Sequence, residues 1–173
     1  ADHFPTALRG ARLTLTAANT ARKLLGAPRL GRLSTALSKA SKGRLPQWTP
    51  AMPQPLRSID FGPASHDARP RVVYLAACVS RVMGPAYADR EQSSLLDKTR
   101  GLLEKAGYQV VFPENADSLC CGQPFASKGY PEQAEHKRQE LINALLHASR
   151  GGLDPIYCDT SPCTLRLVQD LGE

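Results

Sequence analysis

The sequence predicts an α/β fold: a small Rossmann-like three-layer domain with a parallel sheet in the order βαβαβα, preceded by basic helices and a Pro-rich linker. Three observations carry this expectation. Short apolar runs rich in β-branched residues alternate with segments of helical periodicity. Gly and Pro punctuate the junctions between them. Charge and proline content also separate residues 1–70 from the remainder.

That separation divides the chain into a basic helical connector (1–42), a Pro-rich linker or strap (43–70) and a cysteine-rich α/β domain (71–173). Residues 1–70 hold eleven Lys and Arg against Asp2, Asp60 and Asp67, a net charge of +8, whereas the rest of the chain sums to −2. Thr6 to Lys42 is rich in Ala, Leu and Arg, with Gly26 and Pro28 as a break, and reads as two amphipathic helices. A basic, acid-poor start also fits a transit peptide or a surface for nucleic acid or anionic lipid. We favour a connector that packs on a neighbouring domain, with no nucleic-acid partner; a start at Ala1 rather than Met fits an excised piece of a larger protein. From Gly43 to Pro70, six prolines forbid helix and central strand. Trp48 and Met52 are expected to pin this strap to a domain surface, because a free linker gains nothing from an exposed indole.

The core elements follow in order. Arg71–Ala77 is a continuous apolar run expected as a strand buried on both faces. Ser93 is expected to cap a helix of about four turns, with Leu95, Leu96, Thr99, Leu102, Leu103 and Ala106 on one face and Gly107 as its stop. Tyr108–Phe112 is the second strand. A second helix opens at Pro131, where a missing N–H costs nothing, and buries Ala134, Leu141, Ile142 and Leu145. Ile156–Cys158 is the third strand, and a last helix starts near Thr164 with Leu165, Val168 and Leu171 inward.

In a parallel sheet the loops after every strand gather at one edge, where open α/β sheets bind their ligands. Cys78 follows the first strand, Cys120 and Cys121 the second and Cys163 the third, so four thiols converge. Adjacent cysteines beside Gly122 are unusual in a core, and the glycine allows the tight bend that turns both sulfurs to one centre. Cys158, inside or at the end of its strand, reads instead as a small buried hydrophobe. Five cysteines without a secretory signal imply reduced thiols or metal ligands in a reducing, cytoplasmic compartment. No apolar run is long enough to span a membrane. Thiolates suit an iron–sulfur cluster, with zinc as the alternative, and exclude hard oxygen-seeking ions. Arg81, Lys128 and Arg166 are placed to tune an anionic cluster. His136 and His147 read as surface residues. No G-x-G-x-x-G, H-E-x-x-H or Ser/His/Asp order appears, and Glu135, Asp159 and Asp170 form no acid–base pair, so no catalytic residue is assigned.

Cys78 at a strand end, Cys120-Cys121-Gly122 and a further Cys after a third strand resemble the cysteine-rich CCG domain shared by heterodisulfide reductases and the iron–sulfur component of glycolate oxidase. Residues 119–130 and 159–167 look most like the C-terminal iron–sulfur part of bacterial FAD-linked D-lactate dehydrogenases. The resemblance implies a [4Fe–4S]-type cluster relaying electrons from a flavin to a quinone or cytochrome. It also implies flavin and ferredoxin-like domains and a second CCG repeat as partners, FAD in the missing part of the parent protein, and peripheral association at the inner face of a bacterial membrane. The C-x-x-C that ends the heterodisulfide reductase pattern has Thr160 in its first position, leaving Cys78, Cys120, Cys121 and Cys163 as ligands. Against this relay stand a zinc-stabilised or metal-free docking domain and a thiol–disulfide switch at Cys120-Cys121.

Overall fold

The computed structural model describes residues 3–56 and 68–171. Pro63 and Phe61 of the strap, the charges of Asp2, Arg57, Asp60 and Asp67, and the inward placement of Leu171 lie outside the described residues and side chains.

The chain runs through α1 (Phe4–Leu25), α2 (Ala27–Ala40), β1 (Pro53–Pro55), β2 (Arg71–Leu75), β3 (Met83–Ala86), α3 (Leu95–Lys105) and β4 (Gln109–Val111). A 3-10 turn at Ala116–Ser118, α4 (Gln123–Ala126), α5 (Pro131–Ala148), β5 (Ile156–Cys158) and α6 (Ser161–Leu171) complete it. β2 is central, with β4 and β5 parallel on either side. Alternation along β2 feeds two cores on opposite faces of this sheet. Val73 and Leu75 join Leu141 and Leu145 of α5 and Leu167 of α6, while Tyr74 and Ala76 pack with Leu96 and Leu103 of α3. The result is a mixed α/β domain whose sheet lies between helical layers.

Several elements differ from the sequence expectation, each for a local reason. The cap of α3 is Ser94, not Ser93: its hydroxyl oxygen accepts the Asp97 backbone N–H at 3.1 Å, satisfying an otherwise orphaned donor. Of the expected face, Leu96 and Thr99 are buried and Leu103 packs with the core, whereas Leu95 and Leu102 are exposed, and α3 has 11 residues, about three turns. Likewise α6 begins at Ser161, because Pro162 fits the first helical turn. That earlier start buries Leu167, leaves Leu165 and Val168 exposed, and puts Cys163 in the first turn of the helix.

The Pro-rich strap contributes a strand after all. Pro53–Pro55 pairs antiparallel with β3, a two-stranded ribbon in which proline costs no central ladder bond. Trp48 is buried as expected, with its ring centroid 5.9 Å from that of Tyr87. α1 and α2 form the two expected helices broken at Gly26, yet α1 packs on the cysteine-rich domain of its own chain. Phe4 meets Phe125 at 5.8 Å between ring centroids, Arg22 lies 4.4 Å over the Tyr87 ring, and Arg12 reaches Asp117. No described helix is long and apolar enough to cross a membrane.

Candidate metal centre

Because β2, β4 and β5 are parallel, the turns that leave their C-terminal ends share one rim. Cys78 lies in a tight turn after β2, closed by Arg81 N–H to Ala77 O at 3.1 Å and Met83 N–H to Val79 O at 2.8 Å. Cys120 and Cys121, both buried, follow the 3-10 turn beyond β4. Gly122 then adopts φ +82°, and a Cβ there would stand 2.3 Å from the carbonyl oxygen of Ala134 in α5. Only glycine lets the cysteine pair sit this close to that helix.

The thiols form a continuous chain. Cys78 and Cys120 act on each other's acidity, Cys120 adjoins Cys121, Cys121 lies 3.1 Å from Cys163 between sulfurs, and Cys163 and Cys158 act on each other's acidity. All four predicted ligands are therefore together, and Cys158, assigned from sequence to the hydrophobic core alone, belongs to the same chain. It also packs against that core beside Cys163. The signal available in the sequence was its place at the C-terminal end of a parallel strand, five residues before Cys163.

The thiols shift one another's acidity, because a thiolate accepts what a neighbouring thiol donates. The Cys120 hydrogen bond, assisted by the Arg81 charge, brings Cys78 down to about 7 despite burial. Cys121, set between Cys120 and Cys163, lies far lower, and Cys163 brings Cys158 down to about 6. Cys120 and Cys163 are pushed up, because each stands between two other sulfurs and is withdrawn from water. Backbone N–H groups of Val79, Gly122 and Gln123 further favour the anionic form at Cys78, Cys120 and Cys121.

Below the thiols sits Arg81, 1% exposed. One Nη donates to the Leu119 carbonyl oxygen, while Nε and the other Nη are buried without a hydrogen-bond partner. A buried guanidinium without a paired carboxylate is costly unless an anion lies beside it. The groups whose charge acts on it include the Cys78 sulfur and Asp117. Lys128, by contrast, is exposed in the turn after α4, and Arg166 acts on Glu135 of α5. His136 pairs with Glu140 at 2.9 Å on the surface of α5, and His147 lines a separate cavity of about 570 Å³ with Lys137 and Glu140.

Asp159, which sequence reasoning set aside because it forms no acid–base pair, ties two of the cysteine turns together. Its carboxylate accepts the Ala77 N–H at 2.8 Å, the Tyr74 hydroxyl at 3.0 Å and the Thr160 hydroxyl at 3.0 Å. It thereby fixes the start of the Cys78 turn against the Cys158–Cys163 turn. Its position next to Cys158 at a strand end is visible in the sequence, but its partner 82 residues away is not.

The donor set is soft and the local charge anionic with a buried counter-cation, which fits metal or iron–sulfur ligation. Among the described residues, no three His, Cys, Asp or Glu side chains close into a ready cage. Two thiolates about 2.3 Å from one tetrahedral ion stand roughly 3.8 Å apart, and Cys121 and Cys163 are at 3.1 Å. Ligation must spread these sulfurs and expel the protons they share.

Residues 72–167 match the family model for the cysteine-rich domain named CCG. The chain belongs to that family. Among curated proteins, a 63-residue stretch is 41% identical to the uncharacterized protein YkgE of Escherichia coli (strain K12), covering 36% of this chain and 24% of that protein. The chain thus matches about a quarter of the length of that relative. No solved structure matches. In this CCG unit the cysteine pair that names the family stands at the middle of the five-thiol chain, with Gly122 forming the close contact to α5.

Proposed function

We propose that the chain is an iron–sulfur electron-transfer module of a larger FAD-linked 2-hydroxy-acid oxidoreductase. In this reading it passes electrons from the flavin to a quinone or cytochrome. The observation that carries the reading is the five-thiol chain at one sheet rim, set over a buried arginine that lacks a carboxylate partner. Membership of the CCG family and the resemblance of residues 119–130 and 159–167 to FAD-linked D-lactate dehydrogenases support it.

When bound, a [4Fe–4S]-type cluster supplies reversible one-electron storage. The protein's own residues do the rest. Cys78, Cys120, Cys121 and Cys163 are the proposed holders, with Cys158 within reach of the same centre. Arg81 balances their negative charge, the N–H groups at Val79, Gly122 and Gln123 favour the anionic form of the sulfurs they face, and Leu119 and Leu167 keep water from the inner side. The partners proposed are flavin and ferredoxin-like domains and a second CCG repeat, at the cytoplasmic side of a bacterial membrane. The fragment catalyses no turnover alone, because a relay needs its donor.

The test is anaerobic reduction with dithionite, followed in the visible region. Absorbance that bleaches reversibly in the wild-type chain and is missing in Cys121→Ser supports the relay. A colourless chain holding zinc by its thiols overturns it in favour of a structural docking domain.

A further inference from the structure

We propose that Arg12, on the basic helix α1, is a positioning residue of the thiol site: it holds the Ala77–Val82 turn and occupies Asp117, so that the Arg81 charge stays directed at Cys78 and Cys120. This rests on the reading of the thiols as an iron–sulfur site, and it assigns part of that site to a helix far from the cysteine motif.

The geometry is a three-way contact. Arg12 Nη2 donates to the Arg81 carbonyl oxygen at 2.9 Å and to Asp117 Oδ1 at 3.2 Å. Arg81 is the largest fully buried side chain described, and its guanidinium has donors to spare. The charges that act on it are Cys78, Asp117, Cys120 and Arg12. Asp117 is the only carboxylate among these, and it stands at the surface with 62% of its side chain exposed. While Arg12 engages it, the carboxylate stays outside and its charge is offset. Without Arg12, Asp117 becomes the natural partner of Arg81, and a carboxylate paired with that guanidinium would cancel the positive field the sulfurs feel. The Arg81 carbonyl would lose its side-chain donor at the same time, loosening the turn that carries Cys78.

An anionic centre is easier to reduce when a cation lies beside it. Arg12→Ala should therefore move the reduction potential of the anaerobically loaded chain to a more negative value. Arg12→Lys, which keeps a donor at this place, should recover part of the shift. Arg12→Ala with Asp117→Asn should recover more, because the competing carboxylate is gone. Arg9→Ala removes one exposed charge from the same helix and should leave the potential nearly unmoved.

Backbone hydrogen exchange on the metal-free chain provides the second readout. Faster exchange in residues 77–82 of Arg12→Ala, with β2 and β5 unchanged, is expected whether or not iron is bound. Unchanged exchange in that turn overturns the proposal, as does an Arg12→Ala potential no lower than that of Arg9→Ala. A wild-type chain that takes up no iron and sulfide defeats the reading of the site, and the exchange measurement still decides the role of Arg12.

Discussion

Arg81 and the arginines of the N-terminal hairpin carry the same guanidinium in opposite settings. Arg9, Arg29 and Arg32 lie exposed on α1 and α2, in a stretch from His3 to Leu56 that contains no Asp or Glu, and water screens them. Arg81 is buried beneath thiols with two of its nitrogens unpartnered. The contrast teaches that the strongly basic character of the first 70 residues is a poor guide to where charge does chemistry. Arg81, in the nearly neutral part of the chain, acts on the Cys78 sulfur, and the hairpin reaches that site through Arg12.

The largest effect that would sharpen this contrast is loss of the central sulfur. Cys121 touches both Cys120 and Cys163, so Cys121→Ser should weaken iron retention by at least about 100-fold, read as iron per chain after desalting. Next comes the backbone beneath it. Gly122→Ala brings a Cβ against the Ala134 carbonyl in a left-handed conformation and should cost about 3 kcal/mol or more in urea unfolding of the metal-free chain. Gly107→Ala, with φ +91° but open space around it, should cost only about 1 kcal/mol.

The clamp between the turns follows. Asp159→Ala strands the N–H of buried Ala77 and the Tyr74 hydroxyl, and should cost about 2 kcal/mol. A titration tests Arg81 more gently. In the metal-free chain Cys78 should be alkylated by iodoacetamide with a midpoint near pH 7, below the ordinary thiol range. Arg81→Met removes a charge that favours the thiolate, so the midpoint should move up. The move should be partial, because the Cys120 hydrogen bond is the larger cause. At the bottom of the scale, Arg29→Ala on the exposed hairpin should change stability by no more than about 0.5 kcal/mol.

Much of this was legible in the residues. The three strands and the helices between them follow from short β-branched runs and Gly or Pro stops, and the parallel topology alone brings Cys78, Cys120, Cys121 and Cys163 to one rim. What was not legible depends on pairs distant in sequence. Cys158 reads as a core residue until α6 starts at Ser161 and swings Cys163 back over it. Periodicity alone also drew the face of α3 too wide and missed Leu167 on α6, because Leu95, Leu102, Leu165 and Val168 are apolar yet point to solvent. Asp159 and Arg12 have ordinary local contexts, and their roles appear only when Ala77 and Asp117, 82 and 105 positions away, are placed beside them.

The proposed role of the thiol rim over Arg81 is to hold an iron–sulfur centre. Its most direct test is the iron, acid-labile sulfide and zinc content of the chain produced and purified without oxygen, with an electron paramagnetic resonance spectrum of the reduced protein. Iron and sulfide in near-equal amounts and a cluster signal are expected, both lost in Cys121→Ser and Cys163→Ser. A folded chain that carries zinc alone, or no metal, would contradict it.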